Sequence, residues 1–299
     1  MNLLYSKTDI INKYKNGETL ASLSREYGPC PLTIRKLLIS ENIPIKDNRI
    51  YQINESFFNI IDKPEKAYFL GFLYADGYIS KDGRKFELAL QVRDKHILEL
   101  FSKTALGNRP VASKTWSSGP SANGRIQRPN AGSLLSIVCK PMVSDLVKNG
   151  CIANKSFTLK FPSYSILPFD LQSHFLRGYF DGDGSIMMKK RHGIEIGAKF
   201  TFISSIEFCR VVYELFIKNF NIQLSTEIYT KFSKPMCALG TCRKNYIEFL
   251  YNYLYKDCGE FFLTRKKEKF EECIGKIKDK QISNRVIAKT FSDALADSI

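Results

Sequence analysis

The chain has 299 residues, 44% of them hydrophobic, and carries 45 lysines and arginines against 30 aspartates and glutamates, a formal net charge of +15. That size and apolar content suit two or three packed units. The charge favours a polyanionic partner, nucleic acid before an anionic membrane surface, and no apolar run approaches the ~20 residues of a membrane-spanning helix.

Residues 1–50 read as a small helical domain. In "TLASLSREYGPCPLTIRKLLISENI" the spacing of Ser24, Gly28, Ile34 and Leu37 lets two short helices cross around a turn, as in a helix-turn-helix. The second helix, about 31–39, would present Thr33, Arg35 and Lys36 to DNA. After a linker (51–64) comes a half-domain over 65–155: a helix at about 65–76, the alternating strand "FELALQVRD", the helix "KHILELFSKTAL", a hairpin region over 108–138 and a helix over 140–149. A proline-bearing linker (156–169) precedes a second half-domain over 170–275, with a helix at 170–182, the strand "GIEIGAKFTFIS", the helix "IEFCRVVYELFIKNF", strands through 225–242 and the helix "NYIEFLYNYLY". Residues 276–299 form a tail.

The order of elements repeats at an offset of 107 between Gly77 and Gly184, too long for a solenoid, so two similar halves form a pseudo-dimer in one chain. The opening helices, "YFLGFLYADGYI" (68–79) and "HFLRGYFDGDGSI" (174–186), carry small residues four apart at Gly71 and Ala75 and at Gly178 and Gly182. Such stripes let two helices approach to backbone contact. Gly77 and Gly184 are expected to stop the helices in the left-handed conformation. Asp76 and Asp183, one residue earlier, would then emerge side by side. Adjacent carboxylates at the negative ends of helices repel one another, and Mg²⁺ offsets that repulsion. The arrangement fits metal-assisted phosphodiester hydrolysis on a two-fold duplex.

"FLGFLYADG" (69–77) and "FLRGYFDGDG" (175–184) resemble the two signature helices of the LAGLIDADG homing endonucleases, over about residues 57–275. The resemblance implies an α+β fold of two pseudo-symmetric αββαββα half-domains, with Asp76 and Asp183 as metal ligands and catalytic groups. The motif's earlier acid is Tyr74 in one copy and Asp181 in the other; that position is not a metal ligand in the family, and Asp181 reads as structural. It further implies Gln91 near the active site, on the strand face opposite Leu88, Leu90 and Val92, with Thr201 on the matching face of the second half. Lys140 in "IVCKPMV", and Arg243 or Lys244 in "GTCRKNY", match the family's basic residue that supports the scissile phosphate. The run "FLTRKKEKF" (262–270) reads as a solvated helix face.

Two acid-free zones, Leu100–Ser144 and Ile228–Ile247, fall at matching places in the repeat and coincide with the saddle that faces DNA in that family. Expected DNA contacts are Arg93, Lys114, Lys189, Lys190, Lys199, Thr201, Lys231 and Lys234, with Arg125, Gln127, Arg128 and Asn130 in a reading loop over 113–130. The expected activity is a site-specific, Mg²⁺-dependent double-strand endonuclease acting as a monomer, with no membrane partner. Alternatives are an intron maturase that binds intron RNA and a non-cleaving DNA-binding regulator. An excised intein is disfavoured by ends reading "MNLLY" and "LADSI", and the start lacks a signal-peptide core. Eight scattered cysteines without a CxxC pair argue against zinc and disulfides and fit a cytoplasmic setting, with an organelle as the alternative. The three histidines (96, 174, 192) lie in no nucleophile motif, which removes triad chemistry.

Overall fold

The computed structural model describes residues 6–45, 51–116 and 130–279. The chain divides into two compact units at residue 50. In the first, α1 (Lys7–Lys15), α2 (Leu20–Tyr27) and α3 (Pro31–Ser40) enclose Ile10, Tyr14, Leu23, Ile34 and Leu38. Ser6 and Thr19 cap α1 and α2 by accepting from the N–H groups of Asp9 and Ser22, and Pro31 opens α3 where no intrahelical donor is needed. Gly28 ends α2 at φ +90°, the sharp turn that lets α2 and α3 cross. The helix α1 is an addition to the two expected.

The second unit holds both half-domains. Its elements are α4 (Pro64–Asp76), β1 (Gly77–Ile79), β2 (Lys85–Gln91), α5 (Lys95–Ala105), β3 (Ala112–Trp116), β4 (Asn130–Val138) and α6 (Lys140–Lys148), then α7 (Gln172–Asp183), β5 (Ser185–Arg191), β6 (Ile194–Ser204), α8 (Ile206–Phe220), β7 (Ser225–Lys231), β8 (Lys234–Thr241) and α9 (Lys244–Tyr255). A tenth helix, α10, runs over 264–279, past the expected tail boundary at 275. The order αββαββα occurs twice, and the antiparallel sheets have matching orders, β1-β2-β4-β3 and β5-β6-β8-β7. In β2 the inward side chains Phe86, Leu88 and Leu90 alternate with outward Lys85, Glu87, Ala89 and Gln91. Helices α5 and α6 cover the inner face of the first sheet, and α8 and α9 that of the second. Among the described residues no helix is long and apolar enough to cross a membrane.

Helices α4 and α7 join the halves at backbone contact. A Cβ on Gly71 would lie 2.0 Å from the Phe175 carbonyl oxygen, and one on Gly178 2.0 Å from that of Tyr68. Arg177 and Asp181 are buried on the same helix and fully engaged. Arg177 donates to the carbonyls of Phe261 (2.7 Å) and Leu254 (2.9 Å). Asp181 accepts from the hydroxyls of Tyr68 (2.9 Å) and Tyr255 (3.0 Å) and from the Leu263 N–H (2.7 Å), binding α4, α7, α9 and the approach to α10 into one network.

Several expectations are corrected. Gly77 and Gly184 are extended (φ −72° and −78°), not left-handed. A Cβ there would strike Leu73 and Phe180 of the preceding turn, so close approach demands glycine. The alternation of β2 stops at Gln91, because Val92 begins a 3₁₀ turn and is 51% exposed. The 51–64 and 156–169 segments supply Phe57, Phe58, Ile61, Leu159, Phe161 and Leu167 to the core and are not free linkers.

Gly71→Ala or Gly178→Ala is expected to destabilise the second unit by about 3 kcal/mol or more, since backbone must move to admit the methyl group. Gly275→Ala, in α10 with open space around it, should gain up to about 1 kcal/mol. Urea midpoints of the three variants check this ordering.

Candidate active site

The helices α4 and α7 remain close to their C-terminal ends. A Cβ on Gly182 would lie 2.3 Å from the Ala75 Cβ and 3.2 Å from Asp76 Oδ2. Asp76 and Asp183 therefore leave the paired helices side by side, each the last residue of its helix. Both residues are exposed, with protein packed around their carboxyl groups and Asp183 at the edge of a cavity. Among the described residues no hydrogen bond or ion pair reaches either carboxylate. Burial first, and then the Asp183 charge, push the Asp76 carboxyl up to about 6. Burial also raises Asp183, against the pull of Lys155, Lys266 and Lys231.

Two lysines stand behind the acids. Lys155 Nζ donates to the Gly77 carbonyl. Lys266 Nζ donates to the Gly184 carbonyl and, at 3.3 Å, to that of Phe180. Each cation thus satisfies a carbonyl just beyond the helix end, where the partial charge is negative, and fixes the peptide that follows an acid. Lys266 is itself lowered, chiefly by burial. Its neighbour Arg265 forms a two-pronged ion pair with the buried Asp94 (2.9 and 2.9 Å), clamping α10 of one half to the start of α5 in the other. The sequence reasoning missed both lysines. Lys155 is the last residue of the expected first half-domain, beside the 156–169 linker, and Lys266 falls in the run read as a solvated helix face; the available signal was that each follows the closing helix of its half.

The other expected residues are distributed as follows. Lys140 opens α6 and is exposed. The Cys139 N–H before it bonds the Arg84 carbonyl at the turn end of β2, whereas Asp76 precedes Gly77, which faces Leu88. Those rows are about 13 Å apart along the strand, so Lys140 is not brought to the acids. Arg243 and Lys244 turn to Tyr246 (3.2 Å) and Glu248 (3.8 Å) near the start of α9. Gln91 faces Gly132, three residues past Leu88. Thr201 faces Ser185, one residue past Gly184, so it shares the outward face but corresponds in register to Glu87, which faces Tyr78. The register equivalent of Gln91 is Ser205, which caps α8 by accepting from the Phe208 N–H at 3.1 Å.

Arg93 is exposed in the 3₁₀ turn after β2. Lys114 lies over the Trp116 ring (5.8 Å) on the outward face. Lys189 and Lys199 also point outward, while Lys190 faces Glu195 beyond a register shift in which Ile196 of β6 is the extra residue. Lys231 lines, with Tyr74, Lys155, Tyr179, Asp183 and Tyr229, a cavity of about 260 Å³ beside Asp183. Lys234 lies over the Phe157 ring (5.0 Å). Arg35 and Lys36 are exposed on α3 of the other unit. Arg125, Gln127 and Arg128 lie outside the described residues.

The donor set fits a divalent cation. Two carboxylates, open to solvent and without proton donors, offer hard oxygen ligands whose mutual repulsion a cation relieves. No third His, Cys, Asp or Glu joins them among the described residues, which leaves positions for water or phosphate oxygens. This suits Mg²⁺ and not a closed zinc site.

No family model and no curated protein matches the chain. Solved structures similar to it include the LAGLIDADG homing endonuclease I-GzeII in complex with its DNA target (14% identity, 73% of this chain and 92% of that one, TM-score 0.48). Others are the LAGLIDADG meganuclease I-AabMI bound to uncleaved DNA (13%, 74% and 92%, TM-score 0.44) and the N-terminal LAGLIDADG domain of DUF199/WhiA (16%, 71% and 96%, TM-score 0.39).

In metal-free buffer at pH 8, Asp76→Asn is expected to raise the melting temperature, because it removes an ionised carboxylate that the surrounding protein disfavours. The folded carboxyl titrates at about 6, above its ordinary 3.8, so stability from its neutral form is full below 3.8 and is lost as pH rises through 6. The variant's gain should therefore vanish towards pH 4. Mg²⁺ at pH 8 should raise the wild-type midpoint and leave the variant nearly unmoved; melting scans across pH, with and without Mg²⁺, measure both effects.

Proposed function

We propose that this chain is a site-specific endonuclease on double-stranded DNA. The observation that carries the reading is the delivery of two carboxylates without proton donors to one point between two pseudo-symmetric halves. Asp76 and Asp183 would hold Mg²⁺ there; bound, the ion supplies Lewis acidity and lowers the pKa of water. Lys155 and Lys266 hold the two helix ends and add positive charge where phosphate charge accumulates.

The outward faces of the two sheets, uncovered by the helices that pack their inner sides, would meet the duplex. Lys114, Lys189, Lys199 and Lys231 would give phosphate contacts and hence affinity. Exposed Arg35 and Lys36 on α3 would extend binding to flanking duplex. A two-fold pair of halves suits two scissile phosphodiesters on opposite strands.

The test is cleavage and gel shift on one substrate, taken from sites selected out of a random duplex library with Mg²⁺. Asp76→Asn and Asp183→Asn should each lower double-strand cleavage by at least about 10³-fold, the scale of a lost catalytic group, while leaving affinity in Ca²⁺ within a few-fold. Full cleavage by either variant would overturn the metal assignment. Sequence-selective binding by the wild type without Mg²⁺-dependent cutting would replace the nuclease with a DNA-binding regulator.

A further inference from the structure

An ionised acid in the middle of a surface meant for a polyanion requires a reason. Glu87 is such an acid, on the outward face of the central strand β2, facing Tyr78 on one side and Ser136 on the other. Its Oε1 accepts from Lys85 Nζ at 3.0 Å and from Ser136 Oγ at 2.9 Å. Oε2 has no donor among the described residues. These contacts, outweighing modest burial, hold the carboxyl below its ordinary value, so it stays charged. A negative charge there weakens general attraction to DNA and also neutralises Lys85. Its register counterpart in the second half is the neutral Thr201, with Lys199 two residues before it as Lys85 stands before Glu87.

We infer that Glu87 is a specificity-determining residue, which reads a cytosine in the half-site facing the first sheet by accepting a hydrogen bond from its N4 amino group on the free Oε2. The major-groove edges explain the choice of base. Cytosine offers a lone donor there, guanine offers two acceptors, thymine offers an acceptor and a methyl group, and adenine sets the N7 acceptor beside its N6 donor. A carboxylate is repelled by every acceptor, so cytosine alone fits without a clash. Lys85 and Ser136 pin one oxygen and thereby aim the other. Because Thr201 replaces the acid in the second half, the restriction should occur once per site and not at the symmetric position.

This inference rests on the outward sheet faces meeting DNA. Its test is binding selection from a random duplex library in Ca²⁺, which requires no cleavage, with wild type, Glu87→Ala and Glu87→Gln compared. Wild type should show one position with roughly tenfold preference for cytosine, the scale of one base-edge contact. Glu87→Ala should reduce that preference to about twofold or less and tighten binding to unrelated duplex. In Glu87→Gln the amide oxygen should take the Lys85 and Ser136 donors and turn the NH₂ outward, moving the preference to guanine or thymine. Unchanged melting temperatures establish that both variants fold.

The same cytosine preference in Glu87→Gln, or an unchanged base distribution in Glu87→Ala, would overturn the assignment. A wild type that selects no sequence would overturn it together with the DNA reading. Selective binding without cutting would remove the nuclease and leave the role of Glu87 standing.

Discussion

The backbone contact between α4 and α7 sets the rest of the structure. At Gly71 and Gly178 each helix lies so close to its partner's carbonyls that no side-chain carbon can intervene, and at Gly182 the same closeness extends to Ala75 and Asp76. Side chains change rotamer and pack in several ways, but two backbones in contact have almost one relative position. The separation of the halves, and with it the separation of the final acids, is therefore set by main chain.

That geometry carries an electrostatic cost. Two carboxylates sit together, partly withdrawn from water, at the ends of helices whose dipoles already favour cations. The chain offsets part of the cost with Lys155 and Lys266, but it directs their ammonium groups to the carbonyls of Gly77 and Gly184. Among the described residues no donor is spent on the carboxylates themselves. Asp181, two residues before Asp183, is treated in the opposite way, with three donors and no opening to solvent. Acids on one helix thus have different roles through their partners: Asp181 ties elements together, and Asp183 is left available. In the first half Tyr74 takes the place of Asp181 and donates to the Asn149 carbonyl, tying α4 to the end of α6 by a neutral bond.

Much of the fold was legible because long helices and alternating strands leave a periodic imprint. The repeat, the paired small residues, the order of helices and the two acids can all be read from "FLGFLYADG" and "FLRGYFDGDG". What stayed hidden lacks such an imprint. The strand β1 is three residues long, and β5, "SIMMKKR", carries no apolar–polar alternation to mark it. Lys155 and Lys266 come beside the two terminal acids through contacts 78 and 82 residues away in sequence, which no local pattern encodes. Lys140 has the right residue type beside the right helix, but the antiparallel pairing of β2 and β4 carries it to the turn end of the sheet. Gln91 and Thr201 share a face yet differ by four positions in register, a distinction that only strand pairing reveals.

The two halves agree where geometry is shared and differ where surfaces are their own. Both need a glycine-lined helix, a terminal acid and a lysine at the following peptide, since one contact between them must serve both. Their outward faces carry no such constraint. The first neutralises Lys85 with Glu87 and rests Lys114 against Trp116, whereas in the second Thr201 leaves Lys199 without an acid two positions along its strand. A duplicated fold held together at its axis can alter each face separately, because a substitution on an outward strand position does not reach the backbone contact. The symmetry is thus kept where the chain touches itself and relaxed where it meets something else.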